Sequence, residues 1–284
     1  MRPFLLLLIL PFLSFENAGV FEFNCVILNS ETSEPVPYAT LGIIKMNIGT
    51  NADASGLIAF RINEQTISSN AHWVVSSIGF ENKILSHKEL VKHNKDTILL
   101  TPTTQVLEEV ILNRKELNAR TVGKKSHGAL THVNIYGVND SIDDGLSQEF
   151  GAILKLRSQC LIDDFNIYFS SNNFENLKLQ FLAYSISGDS VKLIPNLEPV
   201  FFNANDHGLA TVDLKKFDIE LKEGEYVFTA RIIEKELNDE LPRLSIPMAT
   251  PSPFNGFIFR TKSQENWTFR NSANPSIYLN LSCE

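Results

Sequence analysis

Gly49-Thr50-Asn51-Ala52-Asp53-Ala54-Ser55-Gly56, followed at a distance by Ser77-Ile78-Gly79-Phe80, is the stretch on which the reading of this chain turns. Alternating apolar residues flank the first segment, from Val36 to Ile44 on one side and from Leu57 to Ile62 on the other. That pattern predicts two half-buried strands joined as a hairpin. Glycine and aspartate supply the bend, and Gly56 is expected at positive φ, where a residue without Cβ meets no steric clash.

Working outward, Phe21 to Leu28 alternates like a strand, Asn29 to Pro35 is a turn cluster, Trp73 to Ser76 begins another strand, and Asp96 to Leu100 closes the segment before Pro102. About seven short strands within roughly 80 residues suit a β-sandwich. The motifs Pro37-x-Ala39, Gly49-Thr50-x-x-Asp53-x-x-Gly56 and Ser77-Ile78-Gly79-Phe80, in this order, resemble the carboxypeptidase-like regulatory domain. That domain is a transthyretin-like β-sandwich of Gram-negative envelope proteins. The chain departs from the family at Ile58, where an aromatic is usual. Leu107 to Ile111 resembles the short strand that follows this domain in transporter-associated members. The order of strands after residue 147, with Asn266-Trp267, is similar to an uncharacterised sandwich domain that accompanies it.

A chain of 284 residues suits two domains. The fold class expected is all-β, with two β-sandwich domains, the first transthyretin-like and the second larger and jelly-roll-like. Residues 1–19 read as a signal peptide, 20–102 as the regulatory-type domain, 103–146 as a glycine-punctuated linker with little regular structure, and 147–284 as the C-terminal β-sandwich. After Arg2 the apolar run from Phe4 to Phe15 is about half the roughly 20 residues that span a bilayer, so cleavage near Ala18 and no transmembrane segment in the mature chain are expected. Cys25 lacks the residues of a lipid-attachment site and reads as a strand cysteine. Of the 3 cysteines at least one is unpaired, and a Cys160–Cys283 disulfide would staple the second domain's two ends if their strands are neighbours.

Chemistry-bearing patterns are sparse. The formal charge of −8 disfavours nucleic acid, and the basic stretch from Arg114 to Lys125 reads as a solvated linker. None of the 6 histidines has the His-x-x-Glu spacing of zinc carboxypeptidases, and His127 and His132 read as solvated, as do His72 and His207. No Gly-x-Ser-x-Gly elbow occurs. The doublets Glu108-Glu109, Asp143-Asp144 and Asp163-Asp164 place neighbours on opposite strand faces, unsuited to gripping one bond. Asn51 and Asp53 read as turn chemistry rather than a calcium site, and Asp140, Asp143 and Asp144 form the one denser acidic cluster. Phe254, Phe257, Trp267 and Phe269 cluster near the C-terminus, either as core or as rings for sugar stacking.

No catalytic, cofactor-binding or metal residue is therefore assigned. The sequence reads as an exported, non-catalytic cell-envelope protein of the periplasm or outer-membrane surface, acting in binding or assembly with an envelope protein or glycan as partner; an accessory role in outer-membrane transport, without being the barrel itself, is one form this could take. The alternative is a carbohydrate-binding or carbohydrate-active sandwich, with Glu198, Asp213 and Glu265 as acids brought together from distant strands.

Overall fold

A computed structural model describes residues 19–103, 117–128, 130–137, 144–188, 190–195, 197–204, 207–237, 242–252 and 256–284. Residues 1–18 of the expected signal peptide, the Leu107 to Ile111 segment with its Glu108-Glu109 doublet, Asp140, Asp143 and Phe254 lie outside the described residues.

The N-terminal part contains β1 (Val20–Asn29), β2 (Thr40–Ile43), β3 (Gly49–Asn51), β4 (Leu57–Asn63), β5 (His72–Ser76), β6 (Lys83–Ser86), α1 (His87–Lys92) and β7 (Asp96–Leu100). They form a three-stranded sheet, β4-β1-β7, and a four-stranded sheet, β3-β2-β5-β6. Period-2 alternation turns Phe23, Cys25 and Ile27 inward from one sheet and Trp73 and Val75 from the other. Phe60 and Trp73 meet edge to face across this core at 5.8 Å.

The hairpin expected between the strands around Val36–Ile44 and Leu57–Ile62 does not form, because β2 and β4 lie in different sheets. Alternation reports which face of a strand is buried, not which strand lies beside it. The chain instead folds back at once as β3, with Thr40 opposite Asn51, and then crosses to the other sheet, where Leu57 pairs with Val26. The Asp53 carboxylate makes the crossing bend by accepting hydrogen bonds from the Ser55 N–H and hydroxyl and the Leu57 N–H. Gly56 has φ +77°, as expected, and a Cβ there would stand 2.7 Å from the Ile27 carbonyl oxygen. Helix α1 was not expected, although Ser86-x-x-Glu89 forms a full capping box.

The larger part contains β8 (Asn118–Gly123), β9 (Thr131–Tyr136), β10 (Glu149–Leu156), β11 (Cys160–Phe169), β12 (Ser171–Asn172), β13 (Phe174–Ser187), β14 (Ser190–Leu193) and β15 (Val200–Asn203). It continues with β16 (Gly208–Asp213), β17 (Glu220–Leu221), β18 (Gly224–Leu237), β19 (Arg243–Ala249), β20 (Gly256–Arg260), β21 (Thr268–Arg270), β22 (Asn274–Pro275) and β23 (Ile277–Cys283). Its largest sheet runs β14-β13-β18-β10-β20-β21, with β15 also on β13. A second sheet, β16-β11-β23-β8, packs over it, and Phe165 and Phe181 meet between them at 5.0 Å. A third sheet, β12-β19-β22 with β9, completes an all-β, multi-sheet sandwich-like architecture.

The linker expectation is corrected here. Residues 118–123 run beside β23 and residues 131–136 run beside β19, both as full antiparallel strands. Strand β8 is mostly exposed and carries little apolar signal, whereas β9 does alternate, with Val133 and Ile135 turned inward, over a span too short and polar to stand out. Cys160 and Cys283 are direct cross-strand partners and form a disulfide, whereas Cys25 is free and buried.

The two parts meet along a polar seam. Asn51 donates to the Ile233 carbonyl at 2.8 Å and accepts from Ser147 at 3.2 Å, while Thr50 bonds Asp144. Tyr38 stacks edge-on against Phe201, accepts from Lys178 at 2.8 Å and donates to Glu234 at 3.1 Å. The Lys45 N–H reaches the Gln264 carbonyl at 2.9 Å, and Ile78 is packed into the hydrophobic cluster of the larger part. Strand β3 thus forms the docking edge of the N-terminal module.

Two outcomes follow for stability. Gly56→Val should destabilise the protein by about 1 kcal/mol or more, seen as a lowered urea midpoint, since it adds strain at positive φ and a backbone clash. A fragment of residues 147–284 lacks β8 and β9 and should melt at lower temperature than one of residues 117–284; equal melts would show that those strands add nothing.

Candidate functional site

The largest sheet turns one face to the second sheet and the other to the N-terminal module. On that second face, three strands bring charge together at one level. Glu149 on β10 is the register partner of Arg231 on β18 and of Arg260 on β20. Carboxylate and guanidiniums are therefore cross-strand neighbours, fixed by backbone pairing before any side chain chooses a rotamer.

Glu149 is wholly buried, and the two arginine side chains are each 11% exposed. Its Oε2 accepts from Arg231 Nε and Nη2 at 3.2 and 3.0 Å and from Arg260 Nε and Nη2 at 3.0 and 2.7 Å. Its Oε1 accepts from the Tyr184 hydroxyl and the Thr229 hydroxyl, both at 2.6 Å. The Tyr184 oxygen in turn accepts from Nη2 of Arg231 at 3.3 Å and of Arg260 at 3.2 Å. Trp267 caps the group, with the Arg260 guanidinium 4.1 Å from its ring centre, a favourable cation–π position. Gly151, two residues along the same face, lets β10 lie close against β18: a Cβ there would lie 2.1 Å from the Phe228 carbonyl oxygen.

Burial alone would raise the Glu149 pKa, but Arg260, Arg231 and the hydroxyl donors outweigh it and hold the carboxyl at about 2. Burial first, and then the neighbouring Glu149 carboxylate, push the Tyr184 phenol above its ordinary value. Arg231 is held firmly protonated, the Glu149 and Tyr184 contacts overcoming the opposing effect of burial. None of these groups is poised to exchange a proton near neutral pH, so the arrangement presents charge rather than moving it.

This floor opens into a cleft of 540 Å³ between the two parts. The Ser77-Ile78-Gly79-Phe80 corner forms one wall, Leu193, Ile194, Pro195 and Leu197 another, and Ser263 and Gln264 a third. Gly79, at φ +80°, makes the corner's turn. The sequence motif that marked the N-terminal fold therefore also edges the cleft.

Residues singled out from sequence mostly have other employment. Asp144 pairs with Lys262 at 3.3 Å and serves the seam, and Asp53 shapes its turn. The Asp163-Asp164 doublet does not split across faces: a bulge between Ile162 and Asp164 shifts the register, so Asp163 reaches Ser282 and Asp164 reaches Asn280, two residues apart on one face of β23. His127 stacks on Tyr168 at 3.9 Å, with the His207 Nε2 3.3 Å from the same phenol, while His132 and His72 are exposed. Glu265 accepts from Thr261, and Asp213 caps the Lys215 N–H. Phe257 is buried, Trp267 is half-buried under Arg260, and Phe269 is exposed. Among the described residues no group of three or more metal-ligating side chains occurs.

Glu149, Tyr184, Arg231, Arg260 and Ser263 were missed. A signal existed for Arg231, which interrupts the apolar run Val227 to Ile233, because a charge inside a buried strand must be paired. Nothing in the sequence tied it to Glu149, 82 residues away.

No family model matches the sequence, and no curated protein matches it. Two solved chains of Cwp84, a surface layer associated protein of Clostridium difficile, are similar at 10% identity. One comprises its cysteine protease and lectin-like domains and superposes with TM-score 0.38, covering 87% of this chain and 59% of that one. The other, the protease after propeptide cleavage, gives 0.36, with 87% and 66% covered. At that likeness no residue or activity carries across.

Glu149→Gln should cost about 3–5 kcal/mol, because it leaves two buried guanidiniums without their anion. The wild-type protein should lose stability as pH falls from 4.5, the ordinary glutamate value, to about 2, since a depressed carboxyl pKa contributes fully only where the group is ionised in both states and its contribution falls away as pH drops toward the folded-state value. Urea titrations across that range should show a shallower acid slope in Glu149→Gln; identical slopes would remove Glu149 as the cause.

Proposed function

We propose that this chain is an exported, non-catalytic binding protein of the cell envelope, in which a regulatory-type transthyretin-like module and a larger β-sandwich jointly form one ligand cleft. The observation that carries this reading is the floor of that cleft. Catalytic acids and bases are tuned toward the working pH, whereas Glu149 is held below it by Arg260, Arg231 and its hydroxyl donors against the effect of burial, and Tyr184 is held above it by burial and the Glu149 carboxylate against the effect of the arginines. Such a floor holds a bound group in place without turning it over.

Export is supported by two further features. The apolar run from Phe4 to Phe15 has the length and setting of a signal peptide. The Cys160–Cys283 disulfide belongs to an oxidising compartment, while the remaining thiol, Cys25, is buried with its pKa pushed up to about 12 and so is a poor nucleophile.

The reading is tested in cells. Mass spectrometry of the protein from the envelope fraction should find the chain cut near Ala18 with Cys160 and Cys283 oxidised, and a photo-crosslinker at Asn82, beside the cleft, should yield one defined envelope adduct that the same group at Glu31 does not. An intact Met1 with reduced cysteines in the cytoplasm, or turnover of ester, peptide or glycoside substrates by the purified protein, would contradict it.

A further inference from the structure

Two arginines share one carboxylate at the base of the cleft, so the floor carries one uncompensated positive charge. The four guanidinium donors that reach Glu149 are Nε and Nη2 of the two side chains. A guanidinium has five N–H groups, and the Nη1 of each arginine has no protein partner among the described residues. Both side chains line the cleft. Ser263 lines the same cleft, is 3% exposed, and its hydroxyl is a buried polar atom with no hydrogen-bond partner. An orphaned hydroxyl in a cleft that two guanidiniums also line costs stability unless something bonds it.

The rest of the cleft sets the shape and polarity of what fits. Leu182, Leu193, Pro195 and Leu197 give it an apolar side, and Ile78 and Phe80 face them from the N-terminal corner. Glu81 is the acidic residue among the described lining, and it is exposed at the rim rather than at the base. A volume of 540 Å³ falls in the range of small-ligand sites, which run roughly 300–1,000 Å³.

We propose that the cleft binds a carboxylate that carries an apolar body, the anion accepting from Arg231, Arg260 and Ser263 and the body lying on the leucine wall. This rests on the binding reading given above and names its ligand chemistry. One surplus charge matches a monoanion, whereas a dianionic phosphate would bring a second buried charge with no partner. A planar carboxylate also suits guanidinium forks. Two sources share this chemistry: a free small acid, and the C-terminal carboxylate of a polypeptide with an apolar last residue.

The test uses calorimetric titration of the mature full chain with 3-phenylpropionate, its amide, inorganic phosphate, and the tripeptide Ala-Ala-Phe as free acid and as C-terminal amide. At least one acid should bind about tenfold or more tightly than its own amide and than phosphate. Tighter binding of the tripeptide acid assigns a polypeptide end, and tighter binding of 3-phenylpropionate assigns a small acid. Ser263→Asp, which puts a carboxylate into the cleft, should weaken the acid by about tenfold or more while leaving the thermal midpoint unchanged or raised. Ser263→Ala guards against misfolding of the aspartate variant and should weaken the acid several-fold. Equal binding of acid and amide, preferential binding of phosphate, no binding up to about 10 mM, or full affinity in both folded Ser263 variants would overturn the proposal. Failure here leaves the cellular crosslink and cleavage results standing, so it is distinguishable from failure of the envelope-binding reading.

Discussion

The contact on which this structure depends is the double salt bridge from Glu149 to Arg231 and Arg260 across three adjacent strands. A buried ion pair is weak evidence of net stability, because the cost of removing charges from water can match their attraction. Its stronger effect here is on register. Slipping β10 by one residue against either neighbour would carry Glu149 to the opposite face of the sheet, into the apolar layer of Phe150, Phe228 and Phe257, and leave both arginines unpaired. The cluster thus fixes the central sheet, and that sheet carries both the second layer of the sandwich and the N-terminal module.

The same contact links fold to site. Gly151 allows the close approach of β10 and β18, the Tyr184 and Thr229 hydroxyls close the other oxygen of the Glu149 carboxylate, and Trp267 covers one arginine from the side. Both arginines also line the cleft that the corner of the N-terminal module edges. The module is held there by the Asn51 side-chain amide on the Ile233 carbonyl and by the Lys45 N–H on the Gln264 carbonyl. A cleft walled by two parts but floored by a rigid sheet is preorganised, and little ordering cost is left for a ligand.

Much of the fold was legible. The strands of the N-terminal module follow from period-2 alternation, and Gly56 takes positive φ as its place in the turn demands. Pairing was not legible: β2 and β4 have the pattern of a hairpin yet join different sheets, because burial constrains a strand's faces and says nothing of its edges. Strand β8 escaped notice because it is mostly exposed and needs few apolar residues, whereas the alternation of Val133 and Ile135 in β9 was present but short. The capping box of α1 was in plain view at Ser86 and Glu89. The site was hidden for another reason, since its members lie on strands from residue 149 to 260 and only the sheet order makes them neighbours.

The most direct measurement is a 13C NMR titration of the Glu149 carboxyl carbon in the intact protein, assigned by its loss in Glu149→Gln. If the two guanidiniums hold the anion as described, the resonance stays at the carboxylate position through the range where exposed glutamates protonate and moves only as pH approaches about 2. Protonation near the ordinary value of 4.5 would mean that the arginines do not grip Glu149, and the account of both register and cleft would fail with it.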